Sequence, residues 1–168
     1  MKLKFTEKAN RKTYKITAKT LTEACEQLEK HRSKTGGWGQ FSWNWKSSVK
    51  GKPKAPPTEL GIQVDWTIEL PEWQGVSKQP KVCEVAWKVM LKALAAHEEE
   101  HLELMRKSIK QLEKDLKKNP PQTQKDALAA ADDWADAHSK GQKKFDEKAD
   151  HGQKDGVQLD LTEEGCAA

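Results

Sequence analysis

The stretch KALAAHEEEHLELMRK, residues 92–107, is the segment around which the fold of this chain is organised. Within it, residues 97–101 (HEEEH) fit the pattern H-E-x-x-H. On an α-helix, residues four apart lie on one face, with their Cβ atoms about 5–6 Å apart. Two imidazoles at that spacing can bind one zinc ion, and Glu98 can act as general base on a zinc-activated water. The stretch therefore predicts a helix that carries part of a hydrolytic zinc site.

The residues around this motif predict two long helices. From about Lys81 to Lys118, apolar residues recur mostly at steps of three and four, in a stripe that includes His97 and His101. The sequence Asn-Pro-Pro at 119–121 ends this helix. A second helical pattern runs from Gln122 to about Asp150. Two helices joined by such a turn are expected to pack as an antiparallel hairpin.

Upstream of the helices, the pattern has a period of two, which is typical of strands. Three segments alternate in this way: Lys12–Lys19, Trp38–Val49 and Ile62–Leu70. Between the first two, a short helix from Leu21 to about Lys30 follows a possible N-cap at Thr20 or Thr22. These elements predict an α+β fold, with a small antiparallel sheet packed on two long helices.

Length and cysteine content are those of a single domain without a disulfide framework. The chain has 168 residues, enough to bury a core, and we expect one domain over residues 1–168. Its core would run from about 12 to 152, with a short tail at 153–168. The cysteines are three and widely spaced: Cys25, Cys83 and Cys166. Cys25 and Cys83 lie among apolar helix positions, either as core thiols or bridged to each other.

The charge pattern argues against a nucleic acid partner, and the hydropathy of the chain argues against a membrane span. Thirty Lys+Arg against 26 Asp+Glu give a net charge of +4, and only the first twenty residues and Lys46–Lys54 are clearly basic. No arginine-rich or glycine-aromatic RNA motif accompanies them. No stretch approaches the roughly 20 apolar residues of a membrane helix. The N-terminus also lacks the apolar segment of a signal peptide.

The motif supplies two ligands, whereas a catalytic zinc site usually takes three from the protein. The extended pattern H-E-x-x-H-x-x-G-x-x-H is absent, so the third must come from elsewhere in the chain. The candidates are His31, His138, His151, or a carboxylate such as Asp146 or Glu147. In a straight hairpin, His138 lies almost level with His101, whereas His151 lies roughly two turns beyond His97. His151, however, precedes Gly152, which can end the helix in a left-handed conformation and let the chain bend towards the metal.

Several motifs recur in a fixed order along the chain. They are a strand with Tyr14, a Trp-x-Trp strand, Leu-Pro-x-Trp at 70–73, H-E-x-x-H, and aromatic-Asp-x-x-x-x-His-Gly at 145–152. This order resembles a bacterial family that is filed as a domain of unknown function and described as predicted secreted zinc-dependent proteases. The resemblance covers about Tyr14 to Gly152, and it implies a zincin-like fold and a secreted or periplasmic location.

The resemblance also implies roles for individual residues. It makes His97 and His101 zinc ligands, Glu98 the catalytic base and His151 the third ligand, with Asp146 as a supporting residue. The family often has Tyr and Thr where this chain has Phe145 and Ala149, so no hydroxyl acts at those two positions.

The predicted function is that of a zinc metallopeptidase, which uses Zn²⁺ to hydrolyse a protein or peptide substrate. An exposed edge strand, either Trp38–Trp45 or Ile62–Leu70, would hold that substrate in an extended form. Two other classes of function compete with this one. The first is a non-catalytic zinc-binding or helical-hairpin interaction module, and the second is a basic binder of surfaces or nucleic acid.

Overall fold

The computed structural model describes residues 1–159 and 161. The elements follow in the order β1 (Lys2–Ile16), α1 (Leu21–Thr35), β2 (Gln40–Lys50), β3 (Glu59–Trp73), α2 (Lys81–Lys118) and α3 (Gln124–Ala149). The strands form a three-stranded sheet in the order β1-β3-β2. The α+β class is thus confirmed, with a small sheet and two long helices.

The helices begin and end where local chemistry predicts. The hydroxyl of Thr20 caps α1 by accepting a hydrogen bond from the backbone N–H of Glu23, at 3.2 Å. Gly36 ends α1 with φ +95°, a left-handed conformation that glycine adopts without steric cost. This helix is one turn longer than predicted, because its last turn is polar and carries no apolar periodicity. The bounds of α2 agree with the apolar stripe, although Val85 and Val89 on that stripe are exposed.

The direction of β1 differs from the prediction, which was a fully antiparallel sheet. Strands β2 and β3 form an antiparallel hairpin, since Lys50 at the end of β2 faces Glu59 at the start of β3, with Nζ 2.8 Å from Oε1. Strand β1 is instead parallel to β3, because residues later in β1 contact residues later in β3. These pairs are Lys2 with Thr58, Glu7 with Trp66, Lys12 with Glu69, and Thr13 with Glu72. Alternation reveals that a segment is a strand but does not reveal its direction.

The contacts divide the chain into two compact units. The first contains Met1–Asn10, Ser42–Trp66 and His101–Phe145, and the second contains Arg11–Phe41, Thr67–Glu100 and the described residues from Asp146 onwards. The second unit has a core of fully buried side chains from β1, α1, β3, α2 and the segment after α3: Ile16, Leu21, Ala24, Leu28, Trp73, Cys83, Trp87, Met90, Leu94 and Val157. The first unit buries Leu60, Ile62, Val64 and Trp66 of β3, and Met105 and Ile109 of α2.

Two further sequence predictions concern the cysteines and the tail. Cys25 is a free thiol and Cys83 is disulfide-bonded, so the two are not bridged to each other. Val157 belongs to the core, and the described part of the fold therefore continues past residue 152. No helix within the described residues combines the length and the hydropathy needed to cross a bilayer.

Candidate metal centre

The two histidines of H-E-x-x-H are buried on one face of α2. His97 and His101 each expose only 5% of their surface, and the helix is continuous between them, which keeps them one turn apart. Asp146, on α3, completes a group with them. One ligand atom from each of the three residues lies within 4.8 Å of the other two. Two imidazole nitrogens and one carboxylate oxygen form a donor set that can hold a metal ion.

His97 has a carboxylate at each ring nitrogen. Oδ1 of Asp146 lies 3.3 Å from Nε2, and Oδ2 of Asp155 lies 3.2 Å from Nδ1. Burial works against the charged form of this imidazole. The hydrogen bonds of Asp146 and Asp155 outweigh that effect and raise the pKa of His97 above its usual value. The ring is therefore held between two acidic groups, one of which belongs to the candidate ligand set.

His101 is held by residues of α3 in the first unit. Its Nδ1 contacts Oε1 of Gln142, and the amide of Gln142 donates back to the carbonyl oxygen of His101 at 2.9 Å. The ring of Phe145 packs edge-on against the imidazole, with centroids 4.8 Å apart. Phe145 therefore supports His101 by packing, at a position where the resembled family often has a tyrosine.

Glu98, the predicted base, is almost fully buried at 4% exposure. Gly39, just before β2, leaves room for its carboxylate. A Cβ atom on Gly39 would lie 2.8 Å from Oε1 of Glu98 and 3.0 Å from Cδ1 of Leu94. Both distances are shorter than ordinary van der Waals contact, so the position of Glu98 depends on a glycine at residue 39.

The chain leaves α3 through a sharp left-handed exit. Asp150 and His151 both have φ +51°, and Gly152 has φ +87°. The backbone N–H of His151 donates to the carbonyl of Asp146 at 2.9 Å and so closes the end of the helix. The predicted left-handed role of Gly152 is confirmed. A Cβ atom there would lie 3.2 Å from Cγ of His97, so this turn packs directly on the ring of a candidate ligand.

Of the five candidates for the third ligand, His151, His138 and Asp146 lie in different surroundings. His151 is exposed and lines a cavity of about 320 Å³ with Trp38, Cys25 and residues of the segment after α3. His138 is buried among Trp43, Trp134 and Gln142. Neither belongs to the group formed by His97 and His101. The carboxylate of Asp146 does, and it was predicted as a supporting residue or an alternative ligand.

Sequence reasoning missed Asp155, Gln142 and Gly39. Gln142 lies one turn after His138 on α3, so the helical periodicity offered a weak signal for it. Asp155 follows the turn at Gly152, where no periodicity applies. Gly39 falls in the Gly-Gly-Trp-Gly segment, which by itself indicates only a turn.

Comparison with known proteins places this chain in a family. A family described as "Bacterial protein of unknown function (DUF922)" matches residues 11–152, which include the motif on α2, Asp146 and the exit turn. No curated protein and no solved structure matches the chain significantly. Because the match extends over most of the sequence, this chain belongs to the family of bacterial proteins of unknown function DUF922.

Proposed function

We propose that this protein is a zinc-dependent metalloprotease. The observation that carries the proposal is the juxtaposition of His97, His101 and Asp146 with the buried carboxylate of Glu98 on the same helix. A helix bearing H-E-x-x-H is typical of zinc peptidases, and here its two histidines and Glu98 are buried. The burial of both imidazoles next to a carboxylate argues against a solvated, charged helix that carries two histidines by chance.

The donor set fits zinc in both kind and spacing. Zinc takes imidazole nitrogen and carboxylate oxygen at about 2.0–2.2 Å in a tetrahedron, so two of its ligand atoms lie about 3.4 Å apart. Nε2 of His97 and Oδ1 of Asp146 are 3.3 Å apart. We therefore propose that His97, His101 and Asp146 hold the metal, with His151 as the competing third ligand. A catalytic site also keeps one position for water, which three protein ligands allow.

The chain's own residues account for the movement of protons. When bound, a zinc ion would supply Lewis-acid catalysis to the hydrolysis of an amide. Glu98 accepts a proton from the attacking water and returns it to the leaving amine. Its burial against Gly39 limits the water around the carboxylate and keeps it in one orientation. Asp155 holds Nδ1 of His97, which leaves Nε2 to face the metal.

The sheet offers an edge for an extended substrate. Strand β3 is the central strand, so the alternative that placed the substrate on Ile62–Leu70 is excluded. Within the described residues, strand β2 is an edge of the sheet, and it starts at Gln40, directly after Gly39, where an added Cβ would meet Oε1 of Glu98. We propose that a peptide pairs with the start of β2 through backbone hydrogen bonds, which brings its scissile bond towards Glu98.

We also propose that the protein works outside the cytoplasm. Disulfides form and persist in oxidising compartments, and Cys83 is disulfide-bonded. Mass spectrometry of unreduced protein isolated from its native source tests this proposal. Cys83 recovered wholly as a free thiol would contradict it.

The variant Glu98→Gln tests catalysis. We expect it to bind zinc as the natural protein does but to cleave a library of unstructured peptides at least about 100-fold more slowly. Glu100→Gln, an exposed position on the same helix, serves as the matched control and should retain its rate. If the zinc-loaded natural protein cleaves nothing, or if Glu98→Gln retains the natural rate, the non-catalytic zinc module becomes the better description.

A further inference from the structure

A chain of buried hydrogen bonds in the first unit starts at His101. The amide of Gln142 lies 2.9 Å from the carbonyl oxygen of His101 and 3.0 Å from Nε2 of His138. A carbonyl oxygen only accepts, so the atom of Gln142 that faces it must be the N–H₂ group. The orientation of this amide then follows. Its oxygen, Oε1, faces Nδ1 of His101 and accepts from it.

The same reasoning fixes the proton on His138. Its Nε2 faces the N–H₂ group of Gln142 and must act as the acceptor, so the proton of the neutral ring lies on Nδ1. That nitrogen is 3.4 Å from Oγ of Ser108. Ser108 in turn donates to the carbonyl of Met105 at 2.7 Å and accepts from the indole N–H of Trp134 at 3.0 Å. Each polar atom in the chain therefore has one consistent role.

We infer that Gln142 is a positioning residue that holds His101 in the tautomer with its proton on Nδ1, so that Nε2 is the ligand atom. His138 is then a support for Gln142 and not a metal ligand. The inference rests on the proposed function only in taking His101 as a zinc ligand. The assignment of the hydrogen bonds concerns the metal-free protein and does not depend on catalysis.

The surroundings of His138 support this assignment. Its ring is stacked on Trp134, with centroids 5.8 Å apart and planes 1° apart, and it meets Trp43 edge-on at 4.7 Å. Burial, together with the nearby His101, lowers the pKa of His138 to about 4. The ring therefore stays neutral at neutral pH, and a neutral ring can accept the bond from Gln142.

Nitrogen-15 NMR of the metal-free protein, with labelled histidine, reads the tautomers directly. We expect both His101 and His138 to carry their proton on Nδ1 in the natural protein. In Gln142→Met, the acceptor for His101 is lost, so its tautomer becomes mixed and its zinc affinity falls about 10- to 100-fold. In Gln142→Glu, a carboxylate still accepts from Nδ1. We therefore expect this variant to keep the tautomer and most of the zinc affinity.

Zinc affinity is measured by competition with a chromophoric chelator, and Gln111→Met, an exposed position on α2, serves as the control. A proton on Nε2 of His101 in the natural protein would overturn the inference. Equal losses of affinity in the Met and Glu variants would do the same, since they would assign the effect to packing. These readouts do not require hydrolysis, so a protein that binds zinc but cleaves nothing would contradict the proposed function alone. If Gln142→Met does not fold, the natural protein and Gln142→Glu still decide the inference.

Discussion

Oδ2 of Asp155 lies 3.2 Å from Nδ1 of His97, at the ring nitrogen that does not face Asp146. The metal-facing nitrogen of a ligand histidine is commonly set by a carboxylate at the other nitrogen. Asp155 is in that position although it comes from the segment after α3, beyond the end of the family match at residue 152. The site therefore depends on the path of the chain after Gly152.

The variant Asp155→Asn tests this relationship. The amide would hold the ring less strongly than the carboxylate, so we expect zinc affinity to fall about 10-fold or more. Asp132→Asn, at an exposed position of α3, is the control and should bind zinc normally. Competition with a chelator gives both affinities. Unchanged affinity in Asp155→Asn would show that Asp155 does not orient His97.

The third ligand is decided by comparing Asp146→Ala with His151→Ala. Because Asp146 lies with His97 and His101, we expect its loss to reduce zinc affinity by a factor of about 100 or more, whereas the loss of exposed His151 has less than a tenth of that effect. The zinc content after dialysis and the dissociation constant for zinc are measured for both variants. The opposite order of effects would assign the third position to His151.

Replacing Gly39 by alanine tests the placement of Glu98. The added Cβ would lie 2.8 Å from Oε1 of Glu98, so the carboxylate must move, and a shift of about 1 Å can reduce a rate by roughly 100-fold. Crowding against Leu94 should also cost about 1–3 kcal/mol of stability. Peptide hydrolysis and chemical unfolding measure the two effects.

Gly141→Ala is the matched control for Gly39→Ala. Gly141 is exposed on α3, and a Cβ atom there would have no atom within 4 Å. We expect this variant to keep its activity and to gain up to about 1 kcal/mol of stability, because alanine favours the helix. If Gly39→Ala hydrolyses peptides as fast as Gly141→Ala, the rate of hydrolysis does not depend on the position of Glu98.

The buried ring of His138 predicts an acid-sensitive stability. Its pKa is about 4 in the folded protein and about 6.5 when unfolded, so protonation favours the unfolded chain. The neutral ring therefore makes its full contribution to the free energy of unfolding above about pH 6.5. This contribution, at most about 3 kcal/mol in total, is lost as the pH falls through about 4.

The variant His138→Gln removes this titration. We expect its free energy of unfolding to fall less between about pH 6.5 and 4 than that of the natural protein. Ser139→Ala, the exposed next residue, should follow the natural protein. Denaturant unfolding over this pH range provides the measurement, and identical slopes in His138→Gln and the natural protein would contradict the assignment.

The sequence by itself determined most of the local elements, although β1 begins at Lys2 and not at the predicted Lys12. It also determined the part of the site that lies on one helix. The apolar stripe located α2 at Lys81–Lys118, and the spacing of four placed His97 and His101 on one face. Period-two alternation located β2 and β3 within a few residues, and Thr20 was among the predicted caps. These features succeed because they depend on residues within one or two turns of each other, where backbone geometry is regular.

Which distant residues lie beside His97 and His101 follows only from the tertiary structure. A straight helical hairpin favoured His138, and the resemblance favoured His151, but the group contains Asp146. The left-handed turn at residues 150–152 redirects the chain, and it brings Asp155 to His97 while His151 is exposed. The direction of β1 could likewise not be predicted from the alternation of apolar and polar residues. Side-chain period follows from the backbone of one segment, whereas these contacts follow from how separate segments pack against one another.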